Sequence, residues 1–190
     1  MDAQAALDYL HSRKDVNHSQ IFVFGRSLGG AVALWLAHRN PGTIRGVMIE
    51  NTFCSVRRMV RFLFTFSRCP ANGLTCPIQA MELFPALSLV PLWCFELLQS
   101  SRWNNEKLVT EIDVPLLLIA GTDDEIVAHA HMQDLWVAFK GRRGQLGNIG
   151  PSPAVLRNSR CLIMKGGGHN TTWMLPTYYG DIVDWLTQFS

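Results

Sequence analysis

Residues 21–30, Ile-Phe-Val-Phe-Gly-Arg-Ser-Leu-Gly-Gly, constrain this chain more than any other stretch. Ile21 to Phe24 are apolar in succession, the pattern of a short strand buried on both faces. They lead without a break into Gly25-Arg26-Ser27-Leu28-Gly29, and then into a helix-forming run at 31–37. Strand, Gly-x-Ser-x-Gly, helix is the pattern of a nucleophile elbow, a sharp turn that lifts a serine hydroxyl clear of a sheet. Ser27 must then adopt an unfavourable backbone conformation, and side chains two residues to either side would collide. Glycine is therefore expected to be required at both 25 and 29. Gly30 is expected to let the new helix pack close to the neighbouring strand. The start of that helix also offers backbone N–H groups, Leu28 first among them, to developing negative charge.

The rest of the chain alternates strands and helices. Residues 2–14 form an amphipathic helix pattern with Ala6, Leu7 and Leu10 inward. Asn40-Pro41-Gly42 ends the elbow helix, and 44–49 reads as a second strand closing on Glu50-Asn51-Thr52. A third strand is expected at 114–120, a helix at 128–139, a fourth strand at 160–164 and a last helix at 178–189. Residues 140–158, rich in Gly, Pro, Ser and Asn, have the composition of a long polar loop prone to disorder. The implied architecture is a single α/β domain over 1–190, with a mostly parallel sheet flanked by helices.

Between the second and third strands the pattern breaks. Residues 56–66 look helical and apolar, and Pro70, Pro77, Pro85 and Pro91 then divide 67–105 into short hydrophobic pieces. A set of small core helices accounts for this. So does a helical cap insertion, about 55–108, that offers an apolar slot above Ser27; the cap is the reading we favour.

Composition removes several function classes. A chain of 190 residues, 48% apolar and 17% charged, fits a globular domain with a substantial core. Its net charge of +2, with Lys and Arg scattered, gives no footprint for nucleic acid. Arg57, Arg58 and Arg61 share a helical face beside phenylalanines, which suits a solvated surface or contact with lipid headgroups. Five cysteines (54, 69, 76, 94 and 161) make no C-x-x-C pair and no metal-ligand spacing, so they are expected to be mostly reduced. No metal and no cofactor is expected. No run of about 20 apolar residues is free of charge and proline, so the chain as written is expected to be soluble or cytoplasmic.

An elbow serine needs a base and an acid. His169 follows Gly166-Gly167-Gly168 at the end of the fourth strand, where no packing pattern calls for an imidazole. The remaining histidines (11, 18, 38, 129 and 131) fall on expected helices or connectors and read as surface residues. Asp124 follows the third strand, giving the order Ser, Asp, His. Two rivals for the acid stay open: Asp123, because one of the adjacent pair can serve as a helix cap, and Glu50 at the end of the second strand. In such a set Ser27 attacks an acyl carbonyl, His169 takes and returns its proton, and the acid orients the imidazole.

The sequences Phe-Gly-Arg-Ser-Leu-Gly-Gly-Ala-Val-Ala, Glu-Asn-Thr-Phe, Pro-Leu-Trp-Cys, Gly-Thr-Asp-Asp and Gly-His-Asn-Thr-Thr-Trp resemble the bud-emergence branch of the α/β hydrolases. Arg26 and Trp173 are its more diagnostic residues. The resemblance runs from Met1 to the end, looser at 67–90 and 140–158, and Thr171 stands where the family carries aspartate. It implies the C-terminal portion of an α/β-hydrolase fold, with the triad on Ser27, Asp124 and His169. It also implies a membrane-associated serine hydrolase acting on acyl esters or thioesters, its partners an acylated small molecule or a lipidated protein, with membrane contact through the cap. Family members begin with a membrane anchor and several strands, including a His-Gly-rich loop that supplies a second oxyanion donor. This sequence lacks those features and is expected to be a partial or short form. Its elbow strand would then lie at an exposed sheet edge. An impaired remnant that binds acyl chains or a protein partner is the alternative; peptide hydrolysis draws on the shared triad alone.

Overall fold

A computed structural model describes residues 2–59, 103–141 and 151–190. Among these residues four parallel strands form one sheet in the order β1-β2-β3-β4: β1 (Phe22–Arg26), β2 (Gly46–Glu50), β3 (Leu116–Gly121) and β4 (Arg160–Met164). Helices α1 (Asp2–Ser12), α2 (Leu28–Arg39), α3 (Asn105–Glu111), α4 (Ala130–Gly141), α5 (Pro153–Arg157) and α6 (Tyr178–Leu186) surround it. The α/β architecture expected from the alternating pattern is the one observed. The proposed cap falls mostly at 60–102, outside the described residues. Residues 56–59 are helical, and an antiparallel bridge joins Ser55 to Asn104.

Strand β3 is buried along its whole length because it is central and covered on both faces. Successive residues supply two separate cores. Leu116, Leu118 and Ala120 join Leu34, Val47, Ile49, Met132 and Leu135 on one side. Leu117 and Ile119 join Met164, Tyr178, Trp185 and Phe189 on the other, with Phe22 and Met48 packed against them. The rings of Phe22 and Phe189 meet Trp185 edge-on, with centroids 5.8 and 5.0 Å away, and the indole N–H donates to Asn158 O at 2.7 Å.

The structure corrects four readings. β1 is not buried on both faces, as its four apolar residues suggested; among the described residues it is a sheet edge, as the resemblance implied, and Phe24 is 50% exposed. In α1 the inward stripe is Ala3, Leu7 and Leu10, spaced four and three residues apart, while Ala6 faces solvent. The second half of the polar loop is ordered. Ser152 Oγ accepts the Val155 N–H at 3.3 Å, Pro153 opens α5, and Val155 reaches the core. Finally, His131 is no surface residue. It is 5% exposed, beside Cys54, whose N–H lies 3.4 Å from its Nδ1. Burial lowers its pKa and raises that of Cys54 to about 12, so both are neutral interior groups.

Candidate active site

Parallel strands point the same way, so their C-terminal ends gather the loops that carry chemistry. Ser27 sits between β1 and α2 with φ +54° and ψ −121°, a region that non-glycine residues rarely occupy. Such a conformation costs of order 1–3 kcal/mol and persists only when neighbours hold it. Here the Ser27 N–H donates to Glu50 O at 2.9 Å, and its own carbonyl accepts from Gly30 N–H at 3.1 Å. The side chain makes no capping bond, which leaves its hydroxyl uncommitted to the helix.

The two glycines of the pentapeptide are not equivalent. A Cβ at Gly25 would stand 2.2 Å from Gly29 O, a backbone atom. At Gly29 a Cβ would meet nothing within 4 Å among the described residues, so the expected collision on that side is absent. The second steric demand falls on Gly30 instead, where a Cβ would lie 1.9 Å from Thr52 Oγ1. Gly30 thus permits the close approach of α2 to the end of β2, as its position suggested. Leu28 is the first residue of α2, so its N–H belongs to the set that a helix start leaves without intrahelical partners.

His169 and Asp124 meet directly. Nδ1 of the imidazole lies 2.8 Å from Asp124 Oδ2, with the two side chains 6% and 0% exposed. A carboxylate only accepts, so Nδ1 carries the proton and Nε2 is left as the basic nitrogen. The other carboxylate oxygen, Oδ1, accepts the N–H groups of Ile126 and Val127 at 2.8 and 2.7 Å. Asp124 therefore closes the turn and engages the histidine at once, two tasks that its residue type alone did not separate. Asp123 is exposed, and among the described residues its side chain accepts from the Thr122 hydroxyl alone, at 2.7 Å.

Glu50, the other rival, is 1% exposed and accepts a hydrogen bond from the Tyr178 hydroxyl rather than meeting His169. Its second oxygen, Oε1, has no hydrogen-bond partner among the described residues. Burial raises the Glu50 pKa first of all, with Tyr178 and Arg26 pulling the other way, and burial together with Glu50 raises that of Tyr178. Beside this pair is a hollow of about 500 Å³ lined by Phe24, Arg26, Met48, Trp173, Tyr179 and Ile182. Thr171, the residue in the family's aspartate position, accepts the Gly168 N–H through its hydroxyl at 3.1 Å and so tightens the histidine turn.

One residue of the site was missed in the sequence. Asn51 has φ +46° and is 1% exposed. Its Oδ1 accepts the Gly121 N–H at 2.9 Å, while Nδ2 lies 3.2 Å from His169 O and 3.1 Å from Thr172 Oγ1. A polar residue tolerant of left-handed backbone, placed at the end of a buried strand, was the available signal. No group of His, Cys, Asp and Glu among the described residues is arranged to hold a metal ion.

Residues 1–146, a span holding Ser27 and Asp124, match the model of the prolyl oligopeptidase family. The α/β-hydrolase domain-containing protein WAV2 of Arabidopsis thaliana is 33% identical over 175 residues, which is 91% of this chain and 48% of that protein. Protein bem46 of Schizosaccharomyces pombe is 30% identical over 133 residues, 70% of this chain and 36% of that protein. The solved acetyl xylan esterase from Paenibacillus sp. R4 superposes with a TM-score of 0.63 at 16% identity, covering all of this chain and 51% of its own. The chain belongs to the prolyl oligopeptidase family, as an α/β hydrolase of the bud-emergence type. It spans about half the length of the curated relatives it matches first.

Proposed function

We propose that this chain carries a serine-hydrolase triad of Ser27, His169 and Asp124 that cleaves acyl esters or thioesters. The observation that carries the reading is the buried 2.8 Å contact between His169 Nδ1 and Asp124 Oδ2, on the same sheet end as an elbow serine at positive φ. Nε2 of His169 takes the Ser27 hydroxyl proton as Oγ bonds to the acyl carbon, and the carbonyl electron pair moves to oxygen. The Leu28 N–H stabilises that oxyanion. Collapse expels the alcohol or thiol, which leaves with the proton from His169. Water, deprotonated by the same imidazole, then releases the acid and restores Ser27. Asp124 holds the tautomer and stabilises the imidazolium.

The substrate class is read from the apolar surface next to Arg26 of the elbow. The hollow beside the elbow is walled by Phe24, Trp173 and Tyr179, apolar rings that suit a lipid-like acyl chain or a protein-bound palmitoyl group. Phe24, Trp173, Tyr179, Met174 and Val183 are also exposed, consistent with contact at a membrane surface. Among the described residues no helix is long and apolar enough to cross a membrane.

The second reading, an impaired hydrolase that binds acyl chains or a partner, is favoured by one feature. Among the described residues Leu28 is the one oxyanion donor we recognise, and an oxyanion hole short of one donor typically works about 100- to 1,000-fold more slowly. Peptide hydrolysis has the family's name in its favour and no feature of the site. The test is turnover of nitrophenyl esters, an acyl thioester and a peptide anilide by the wild-type chain and by Ser27→Ala. We expect an acyl-enzyme burst with the ester and thioester only, abolished in Ser27→Ala at unchanged folding. Turnover that survives in Ser27→Ala would refute the proposal, and a folded chain without any burst would favour the impaired reading.

A further inference from the structure

The three residues of the proposed machinery follow the ends of β1, β3 and β4, and β2, which lies between β1 and β3, contributes no reacting group. Its tail nevertheless touches the elbow, the end of β3 just before the Asp124 loop, and the His169 loop. Glu50 O accepts the Ser27 N–H at 2.9 Å, and the Thr52 hydroxyl lies 3.2 Å from Ser27 O. Between them Asn51 turns the other way. Its Oδ1 accepts from Gly121, three residues before Asp124, at 2.9 Å. Its Nδ2 faces His169 O at 3.2 Å, Gly168 O at 3.4 Å and Thr172 Oγ1 at 3.1 Å.

We infer that Asn51 is a positioning residue, which fixes the His169 loop against β3 and so sets where the imidazole stands relative to Ser27. This rests on the reading of Ser27, His169 and Asp124 as the reacting unit. The acid and histidine loops are already joined to each other, since Asp123 N–H donates to Gly167 O at 2.9 Å and Gly166 N–H to Thr122 Oγ1 at 2.9 Å. Neither of those bonds reaches the elbow. The tail of β2 does, and within it the Asn51 side chain is the part that grips the histidine loop. Asparagine suits the place twice over, because it tolerates the observed φ of +46° and carries both a donor and an acceptor.

Two variants separate the side chain from the backbone turn. Asn51→Gly accepts the positive φ and removes every side-chain bond. Asn51→Asp keeps the size and the acceptor for Gly121 but turns a carboxylate oxygen toward the oxygens of Gly168, His169 and Thr172. Each is compared with wild type by thermal melting, by the rate of fluorophosphonate labelling of Ser27, and by the NMR resonance of the proton between His169 Nδ1 and Asp124. We expect folded Asn51→Gly to label more slowly, by up to about 100-fold, the scale of an ångström's misplacement, and its bridging-proton resonance to move or broaden. A wild-type labelling rate with an unmoved resonance would overturn the inference, leaving Asn51 a role in the turn alone. Should Asn51→Gly not fold, the same readouts on Asn51→Asp decide. If the wild-type chain itself does not label, the hydrolase reading falls, while the resonance still decides the role of Asn51.

Discussion

Alanine at the two glycines of Gly-x-Ser-x-Gly should act with opposite signs. At position 25 the added Cβ would stand 2.2 Å from Gly29 O, 2.4 Å from Gly29 C and 2.7 Å from Gly30 N, all backbone atoms of the first turn of α2. Real Cβ contacts essentially never fall under 3.0 Å, so the helix start must retreat by at least about 0.8 Å, and no side-chain rotation can absorb it. Overpacking of this kind costs typically about 1–3 kcal/mol. At position 29 a Cβ has open space among the described residues, and the residue lies inside a helix. Replacing glycine by alanine in such a place stabilises by roughly 0.4–1 kcal/mol. For a chain of this size each kcal/mol moves Tm by about 2–4 °C. Thermal unfolding followed by circular dichroism should therefore place Gly25→Ala below wild type by roughly 2–12 °C and Gly29→Ala slightly above it. The displaced turn also predicts slower fluorophosphonate labelling in Gly25→Ala. Equal melting temperatures for the two variants, or Gly29→Ala the less stable, would refute the steric account of the elbow.

Glu50→Gln tests the buried acid. A carboxyl whose folded pKa is raised contributes stability that is complete below its unfolded value and is lost as pH rises through the folded one. Glu50→Gln should therefore melt above wild type near pH 8, with the gap closing below about pH 4.5, the ordinary glutamate value; a gap independent of pH would contradict this. Asp124→Asn keeps an acceptor for the Ile126 and Val127 N–H groups but cannot hold the imidazole tautomer, so ester turnover should fall by roughly 10,000-fold with KM little changed. Gly30→Ala should destabilise by clashing with the Thr52 hydroxyl, and Thr52→Ala in the same chain should recover much of the loss, read as a double-mutant cycle in urea. Trp185→Ala, which empties the core between β1 and α6, should cost about 3–5 kcal/mol in the same assay.

What could be read in the sequence was local. Ser27 is announced by five consecutive residues, and Asp124 and His169 by their places just after apolar runs, so the elements and their order followed from pattern alone. What depended on distant neighbours was hidden. The exposure of Phe24 is set by the place of β1 at the sheet edge, which the family resemblance implied but no periodicity within β1 encodes. His131 looks like a surface residue of α4 until the tail of β2 brings Cys54 against it. The Asn51 side chain makes its bonds to residues 70 to 121 positions away in sequence, so its importance has no local trace beyond its residue type. Alpha-helix α5 was different, because Ser152-Pro153 is a legible helix start. It was obscured by the Gly- and Asn-rich sequence that precedes it.

The central claim is that the residues at this sheet end form a working nucleophile, and intact-mass spectrometry after fluorophosphonate treatment tests it most directly. The account predicts one adduct on the wild-type chain and none on Ser27→Ala. A wild-type chain that is folded by circular dichroism and stays unmodified, or an adduct that persists on Ser27→Ala, would contradict it.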